Sequence, residues 1–476
     1  MNTSQAGGYS GFGVAQNEVQ DLSKALEAGY QVGSGKTGGS ALRVESLDAA
    51  LKVTTYTSSH IKFWKKIPKT PAYSTVEEYN ETSSYGGSGG AFLGEGETPQ
   101  STDASVIRRM KQVKYLGTLR EVTHPAMVVH PAHGDLVAFQ AQTGILWLLN
   151  TVETNLFTGD SSLAFAGEAK QWDGLDNLID PTSVIDLEGN SMQEADVEEA
   201  TNTILENYGF ADNIFSAPRV MSDFVKTLYP RQRVEMPAPV NGRVGMSVSS
   251  FGTQAGEIES NPNVFIRKQP VPPSAATSAN APASPASIAD GATTGTTGDH
   301  TKGSPAGTTY FNYVVTACNH FGESAPTAVQ GGTVDITQAN KVTGHYVPLT
   351  ITNPGTIGAF PPEYFRIYRS VASTTNTVPA AMSSYSLVMQ VPTSSQTASG
   401  TTVVNDVNLQ LPFTYTAYVG EMTPSVLSFR QLYPLMKMDL AVTGPSLRFL
   451  MLLYGVPLMF ATKKWLRLIN IGEMAR

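Results

Sequence analysis

The chain has 476 residues, room for roughly two to four domains with ample core. Charged residues make up only 15% against 41% hydrophobic, and a net charge of −8 with a pI near 5.5 excludes the basic face that tight, non-specific DNA binding requires. The single Cys318 excludes an internal disulfide framework and any cysteine-rich metal site.

The opening stretch, MNTSQAGGYSGFG, has neither a basic n-region nor an apolar core, so no secretory signal is expected. Residues 1–60 read as short helical pieces separated by glycine, one capped by Asn17, carrying Val19, Leu22 and Leu26 on one face and ended by Gly29. Residues 70–116 read as a long hairpin: AYSTVEEYNETSSY, a GGSGG tip, then a polar strand from Ala104 to Tyr115. So little apolar content in so long a loop predicts that it needs a partner surface.

A long helix is expected from Asp135, with Leu136, Phe139, Ile145, Leu148, Leu149, Val152 and Leu156 at helical spacing and Gly159 after its end. Its length, roughly 35 Å, suits a spine. A second helix opens on a capping box of Ser191 and Glu194, shares Val197, Ala200, Ile204 and Tyr208 on one face, and stops at Gly209. A third opens with Ser216 and Pro218 and buries Met221, Phe224 and Leu228.

Composition then shifts. From Lys268 to Tyr415 charged residues fall to about half the chain average, and Ser, Thr, Ala, Gly and Pro dominate. Residues 269–307 read as a linker, followed by short strands in YFNYVVTACN, EYFRIYRSVAS, YSLVMQV and GTTVVNDV. Charge returns after Tyr418, with LYPLMKMDLAV and the stretch from Leu447 to Gly472 as apolar strands. Gly455 and Pro457 interrupt the longest apolar run, which is too short to span a bilayer, so a soluble, cytosol-made protein is expected.

The search for chemistry returns no site. GSGKTGG, from Gly33, lacks the upstream glycine a phosphate-binding loop needs, because Tyr30 occupies that position, so it reads as a glycine-rich arm. His124, His130 and His133 lie in a proline-broken stretch and read as turn histidines rather than zinc ligands. No catalytic residue, metal or cofactor is expected.

Within the all-β stretch, Tyr313, Val315, Ala317, Asn319, Gly322, Ser324 and Pro326 form a Tyr-x-Val-x-Ala-x-Asn-x-x-Gly-x-Ser-x-Pro pattern. It resembles the late strand and turn of fibronectin type III and related immunoglobulin-like modules, with Tyr and Val facing a sandwich core and Asn and Gly making the turn.

Taken in order, these elements resemble the major capsid protein family of tailed double-stranded DNA phages, the Hong Kong 97 fold. The resemblance implies an α+β chain: an N-terminal arm (1–60), an extended E loop (61–117), a peripheral domain (118–190) with a spine helix (135–158), and an axial domain (191–268). A linker and inserted immunoglobulin-like β domain (269–415) and a returning axial/peripheral part (416–476) complete it. It implies a non-enzymatic subunit of hexameric and pentameric capsomers, assembled in the host cytoplasm into an icosahedral virion head around double-stranded DNA, without tight sequence-specific binding and without a membrane. Portal, scaffold or decoration proteins would be its partners. A cargo-enclosing shell of the same fold and a sandwich-bearing phage adhesin or fibre are the alternatives; the capped helices between Asp135 and Leu228 speak against the adhesin.

Charge suggests how copies would meet. Ile61–Arg120 carries nine basic and six acidic residues, whereas Glu153–Glu206 carries thirteen acidic residues and Lys170 alone as a base. The expectation is that Arg108, Arg109, Lys111 and Lys114 of one hairpin meet Glu194, Glu198 and Glu199 of a neighbour in a head-to-tail contact.

Overall fold

A computed structural model describes residues 55–86, 92–98, 101–128, 135–165, 170–228, 248–291, 298–328, 334–336, 345–442 and 444–474. The glycine-rich arm with Gly33, the tip of the hairpin at 87–90, and His130 and His133 lie outside them. The chain divides into two units. One, Thr55–His124 with Val137–Arg476, contains nearly all the described residues; of the other, Met1–Thr54 with Pro125–Leu136, they include only a short helical stretch, Asp135 and the first residue of the long helix.

From Thr55 the chain makes a 3₁₀ turn (Ser58–His60), one α-helical turn (Phe63–Lys66) and strand β1 (Lys69–Pro71). Strands β2 (Val76–Ser84) and β3 (Ser105–Gln112) then pair antiparallel as a hairpin, in register from Val76↔Gln112 to Ser84↔Ser105. β4 (Lys114–Thr123) leads to the helical turn His124–Val128 and on to the long helix Leu136–Thr158, the expected spine. Its buried positions, Gly144, Leu148, Val152, Glu153, Leu156 and Phe157, all fall in its second two-thirds. Each fully buried Leu, Val or Phe there contributes about 1.5–3 kcal/mol of apolar burial.

β5 (Val184–Asp186), the helix Glu194–Glu206, β6 (Asn213–Ser216), the helix Pro218–Leu228, β7 (Ser250–Thr253) and β8 (Gly256–Pro262) follow. The second helix begins later than the expected box at Ser191 and Glu194. Gln193 is still extended (φ −119°, ψ 169°), and its N–H donates to the Asp196 carboxylate at 2.7 Å instead. Its end also differs: Tyr208, not Gly209, takes the left-handed conformation (φ 62°).

Between 269 and 413 the described residues form strands and one 3₁₀ turn: β9 (Ser287–Asp290), β10 (Thr309–Phe311), β11 (Tyr313–Cys318), β12 (Thr327–Ala328), β13 (Val334–Ile336), β14 (Val347–Thr352), β15 (Tyr364–Ser370), β16 (Tyr385–Pro392) and β17 (Thr401–Asp406). They build sheets of order β12-β11-β15-β16 and β17-β14-β9, and a pair β10-β13. Ile288, Phe311, Tyr313, Val315, Leu349, Ile351, Phe365 and Ile367 share one core. The expected linker therefore holds a strand. Ile288 is fully buried in β9, one apolar side chain that the surrounding Ser, Ala and Pro residues conceal in the sequence.

β18 (Tyr415–Gly420), β19 (Leu427–Asp439), β20 (Ser446–Met459) and β21 (Trp465–Ile471) return to the host. β18 and β21 complete a six-stranded sheet of order β5-β21-β18-β6-β8-β7, and β19 and β20 a four-stranded sheet of order β1-β19-β20-β4. β18 opens at Tyr415, paired with Ile471, so the host sheet resumes at the last residue of the stretch expected as insertion. The two crossing points are neighbours: the Gln269 N–H donates to the Thr414 carbonyl at 3.3 Å.

Candidate assembly surface

The hairpin is held at its base and open beyond it. Glu153, on the spine helix and fully buried, is the anchor. Its Oε1 accepts from the N–H groups of Lys62 (3.0 Å) and Phe63 (2.8 Å) and from Asn263 Nδ2 (2.6 Å), and its Oε2 accepts from the Trp64 N–H (2.8 Å). A carboxylate is needed because the first turn of Phe63–Lys66 presents unpaired donors away from water. Phe63 then inserts among Phe157, Phe215 and Trp465, with ring centroids 4.9, 5.0 and 6.3 Å away.

Farther along, Tyr79 stands edge-on to Phe460 at 5.0 Å and donates its hydroxyl to the Met459 carbonyl (3.2 Å). Lys111 reaches Asp173 at 2.6 Å. Burial pushes the Asp173 carboxyl up, but the bonds from Lys111 and Ser161 outweigh it and hold it below the ordinary aspartate range. Beyond these anchors both strands are exposed, and Val106, Ile107 and Met110 stand in solvent.

The charges expected to grip a neighbour have partners within the chain. Arg108 pairs with Glu78 (3.4 Å) and Arg109 with Glu81 (3.0 Å), both across the hairpin. Lys114 opens β4 and is buried, with Nζ donating to Gln112 Oε1 at 3.0 Å, and burial lowers its pKa. That residue is withdrawn from any surface contact. The single strand expected from Ala104 to Tyr115 is two, β3 ending at Gln112 and β4 opening at Lys114, and the side chain of Lys114 turns inward. Glu198 and Glu199 are exposed on the helix Glu194–Glu206, and Glu194 is half-buried in its first turn.

A feature the charge reading missed is the outer face of the four-stranded sheet. Registered side chains share a face, and three rows cross it: Tyr433–Tyr454–Tyr115, Met436–Leu452–Gly117 and Met438–Leu450–Leu119. None of these side chains is buried; Tyr115, Leu119, Tyr433 and Met438 are exposed. On the opposite face Phe449, Met451 and Leu453 of β20 are buried, and the spine helix comes so close that a Cβ on Gly144 would lie 2.1 Å from Met451 Cε. The signal was in the sequence: β20 is apolar at nearly every position, the pattern of a strand covered on both faces.

The motif in β11 is structural. All six of its residues are buried, Tyr313, Val315 and Ala317 in the shared core, and Val314 in a second cluster with Tyr368, Tyr385 and Leu387. Asn319 Oδ1 accepts from the N–H groups of Phe321 (2.9 Å) and Gly322 (3.0 Å), and Ser324 Oγ accepts from the Ala317 N–H (2.9 Å). A Cβ at Gly322 would meet Ser278 Cβ at 2.8 Å, so the turn admits only glycine without a shift. Pro326 is half-buried just ahead of β12. Tyr313 donates to Asp406 (2.8 Å), which also receives the fully buried Arg369 (2.6 Å). Among the described residues no group of His, Cys, Asp and Glu is arranged to hold a metal, and no helix is long and apolar enough to cross a membrane.

No family model matches the chain. It is 28% identical over 470 residues to the major capsid protein of Staphylococcus phage K, covering 96% of each chain, and equally so to that of Staphylococcus phage S25-3. Among solved structures, that of Gordonia phage Cozz aligns with a TM-score of 0.45 at 10% identity over 93% of this chain and 96% of that one. The holo-SrpI encapsulin complex of Synechococcus elongatus aligns at 0.42 and 9% identity, over 90% and 93%. Over 96% of its length, the chain is a homologue of the major capsid proteins of these phages.

Proposed function

We propose that the chain is a phage major capsid protein that self-assembles through hexameric and pentameric capsomers into an icosahedral head enclosing double-stranded DNA. The observation that carries this reading is the similarity to phage major capsid proteins over 96% of both chains. The surface supports it. A hairpin whose outer part carries Val106 and Ile107 in solvent, and an apolar sheet face bordered by the Arg448–Glu121 pair, are costly on a solitary subunit. One copy's hairpin laid on the next copy's sheet would cover both and make a heterologous contact that closes into rings. The role is structural, the subunit resides in the virion, and the β module between 269 and 413, an immunoglobulin-like sandwich in this reading, projects from the shell. Electron microscopy of the purified protein tests it: closed hollow particles are expected, and a chain that stays monomeric across salt and crowding conditions would overturn it.

A further inference from the structure

A cleft of about 620 Å³ lies where the β module meets the host, lined by Phe165 and Lys170 on the host side and by His320, Phe321, Phe360, Glu363 and Gln396 on the module. Three of these groups converge. Lys170 Nζ donates to Glu363 Oε1 at 2.7 Å, His320 Nδ1 lies 2.8 Å from the same oxygen, and Lys170 and His320 are 3.0 Å apart. The cluster leaves Glu363 Oε2 with no partner among the described residues. Gln396 spends its amide N–H on the Pro362 carbonyl (2.8 Å), which leaves its Oε1 likewise. Beside these acceptors stand two rings at a near right angle, Phe321 and Phe360, 5.3 Å between centroids, with the His320 ring 3.8 Å from Phe321. Phe321 is 47% exposed.

This chemistry selects by exclusion. A cationic ligand would meet Lys170 beside the carboxylate, and an anionic one would meet Glu363. What suits the cleft is neutral, brings O–H donors for two unfilled acceptors, and has an apolar C–H face to lie on an aromatic ring. We propose that this cleft is a binding site for a neutral saccharide unit, with Phe321 and Phe360 as the stacking platform and Glu363 and Gln396 as hydroxyl acceptors. The two clamping bonds to Glu363 fix its free oxygen in place before the ligand arrives, so little side-chain ordering is left to oppose binding. The site does not depend on whether the chain forms shells.

Saturation-transfer NMR on the full-length protein tests it, with methyl glycosides of glucose, galactose and N-acetylglucosamine as probes, and N-acetylneuraminic acid and a neutral tetrapeptide as controls. At least one neutral glycoside should show transfer with millimolar affinity. Phe321→Ala should weaken it about tenfold or more, and Glu363→Gln less, with unfolding midpoints unchanged for Phe321→Ala because that ring is half exposed. Gln396→Ala provides a second variant at the rim should Phe321→Ala misfold. The proposal fails if no neutral glycoside shows transfer, if transfer survives undiminished in Phe321→Ala, or if only the acidic sugar or the peptide binds.

Discussion

Replacing Glu153 by Gln keeps the volume and removes the charge from the joint between hairpin, spine helix and six-stranded sheet. The carboxylate accepts four bonds, three of them at Oε1 and one at Oε2. With the glutamine carbonyl at the Oε1 position, its NH₂ faces the Trp64 N–H, donor against donor, and one buried backbone group is orphaned. That loss costs about 1.5–3 kcal/mol, and the three bonds that survive fall from charge-assisted to neutral, roughly half as strong. The total comes to about 4–7 kcal/mol, a large share of the 5–15 kcal/mol that holds an ordinary domain together. Two assays read it. The denaturation midpoint of the unassembled subunit should drop, and amide exchange at Lys62–Trp64 should accelerate far more than exchange in β11, which shares none of these bonds. An unchanged midpoint together with unchanged protection at Phe63 and Trp64 would refute the assignment of Glu153 as the anchor.

Excising Pro270–Phe413 and joining Gln269 to Thr414 through a short Gly-Ser bridge should leave particles that form but lack protrusions in electron micrographs, since those two residues already share a hydrogen bond; an insoluble product would show that the module is needed by the host core. Lys111→Glu alone should slow assembly more than Arg108→Glu with Arg109→Glu, as judged by light scattering, because Lys111 ties the hairpin to Asp173 on the body whereas the arginines make exposed pairs that contribute only about 0–1 kcal/mol each. Asp406 gives a pH signature. Burial pushes its carboxyl up, but the Arg369 guanidinium, the Asn408 N–H and the Tyr313 hydroxyl outweigh that and hold it below the ordinary aspartate range. A depressed carboxyl adds stability above its unfolded pKa, near 3.9, and loses it as pH falls through the folded one. Exchange protection in β11 should therefore be flat from about pH 8 to 5 and decline below about pH 4, and Asp406→Asn should remove that acid dependence. Cys318 is buried and its thiol is pushed up to about 12 by burial, so a thiol reagent at pH 8 should label only unfolded chain.

Much of the fold was legible because its long elements have clean periods. The spine helix came out at the expected length since Leu148, Val152 and Leu156 repeat at helical spacing and Gly159 follows, and β11 was announced by alternation ending in an Asn–Gly turn. What stayed hidden depends on contacts between distant residues. Glu153 reads as one more acidic residue in an acidic stretch, and only its neighbours Phe63 and Asn263, about ninety and one hundred and ten positions away, make it a buried acceptor. The basic hairpin reads as surplus charge because Glu78 and Glu81 come diagonally across from Arg108 and Arg109 only once the strand register is set. β9 escaped because a four-residue strand with one large apolar side chain is indistinguishable from linker until β14 pairs with it.

The hydrogen bond between Gln269 and Thr414 also bears on the order in which the chain folds. In the host sheet β18 pairs with β6, whose other neighbour is β8, so the strand after the module must find strands made before it. Bringing together the ends of an unstructured loop of roughly 145 residues costs about 4 kcal/mol in closure entropy. A module that condenses first on its own apolar core delivers those ends side by side, and the search facing β18 shrinks to that of a tight turn. A chain that folds in the order of its synthesis would then have β6 and β8 in place before β18 is delivered beside β6. A module that closes first thus offsets the closure cost that its own length imposes on the sheet it interrupts.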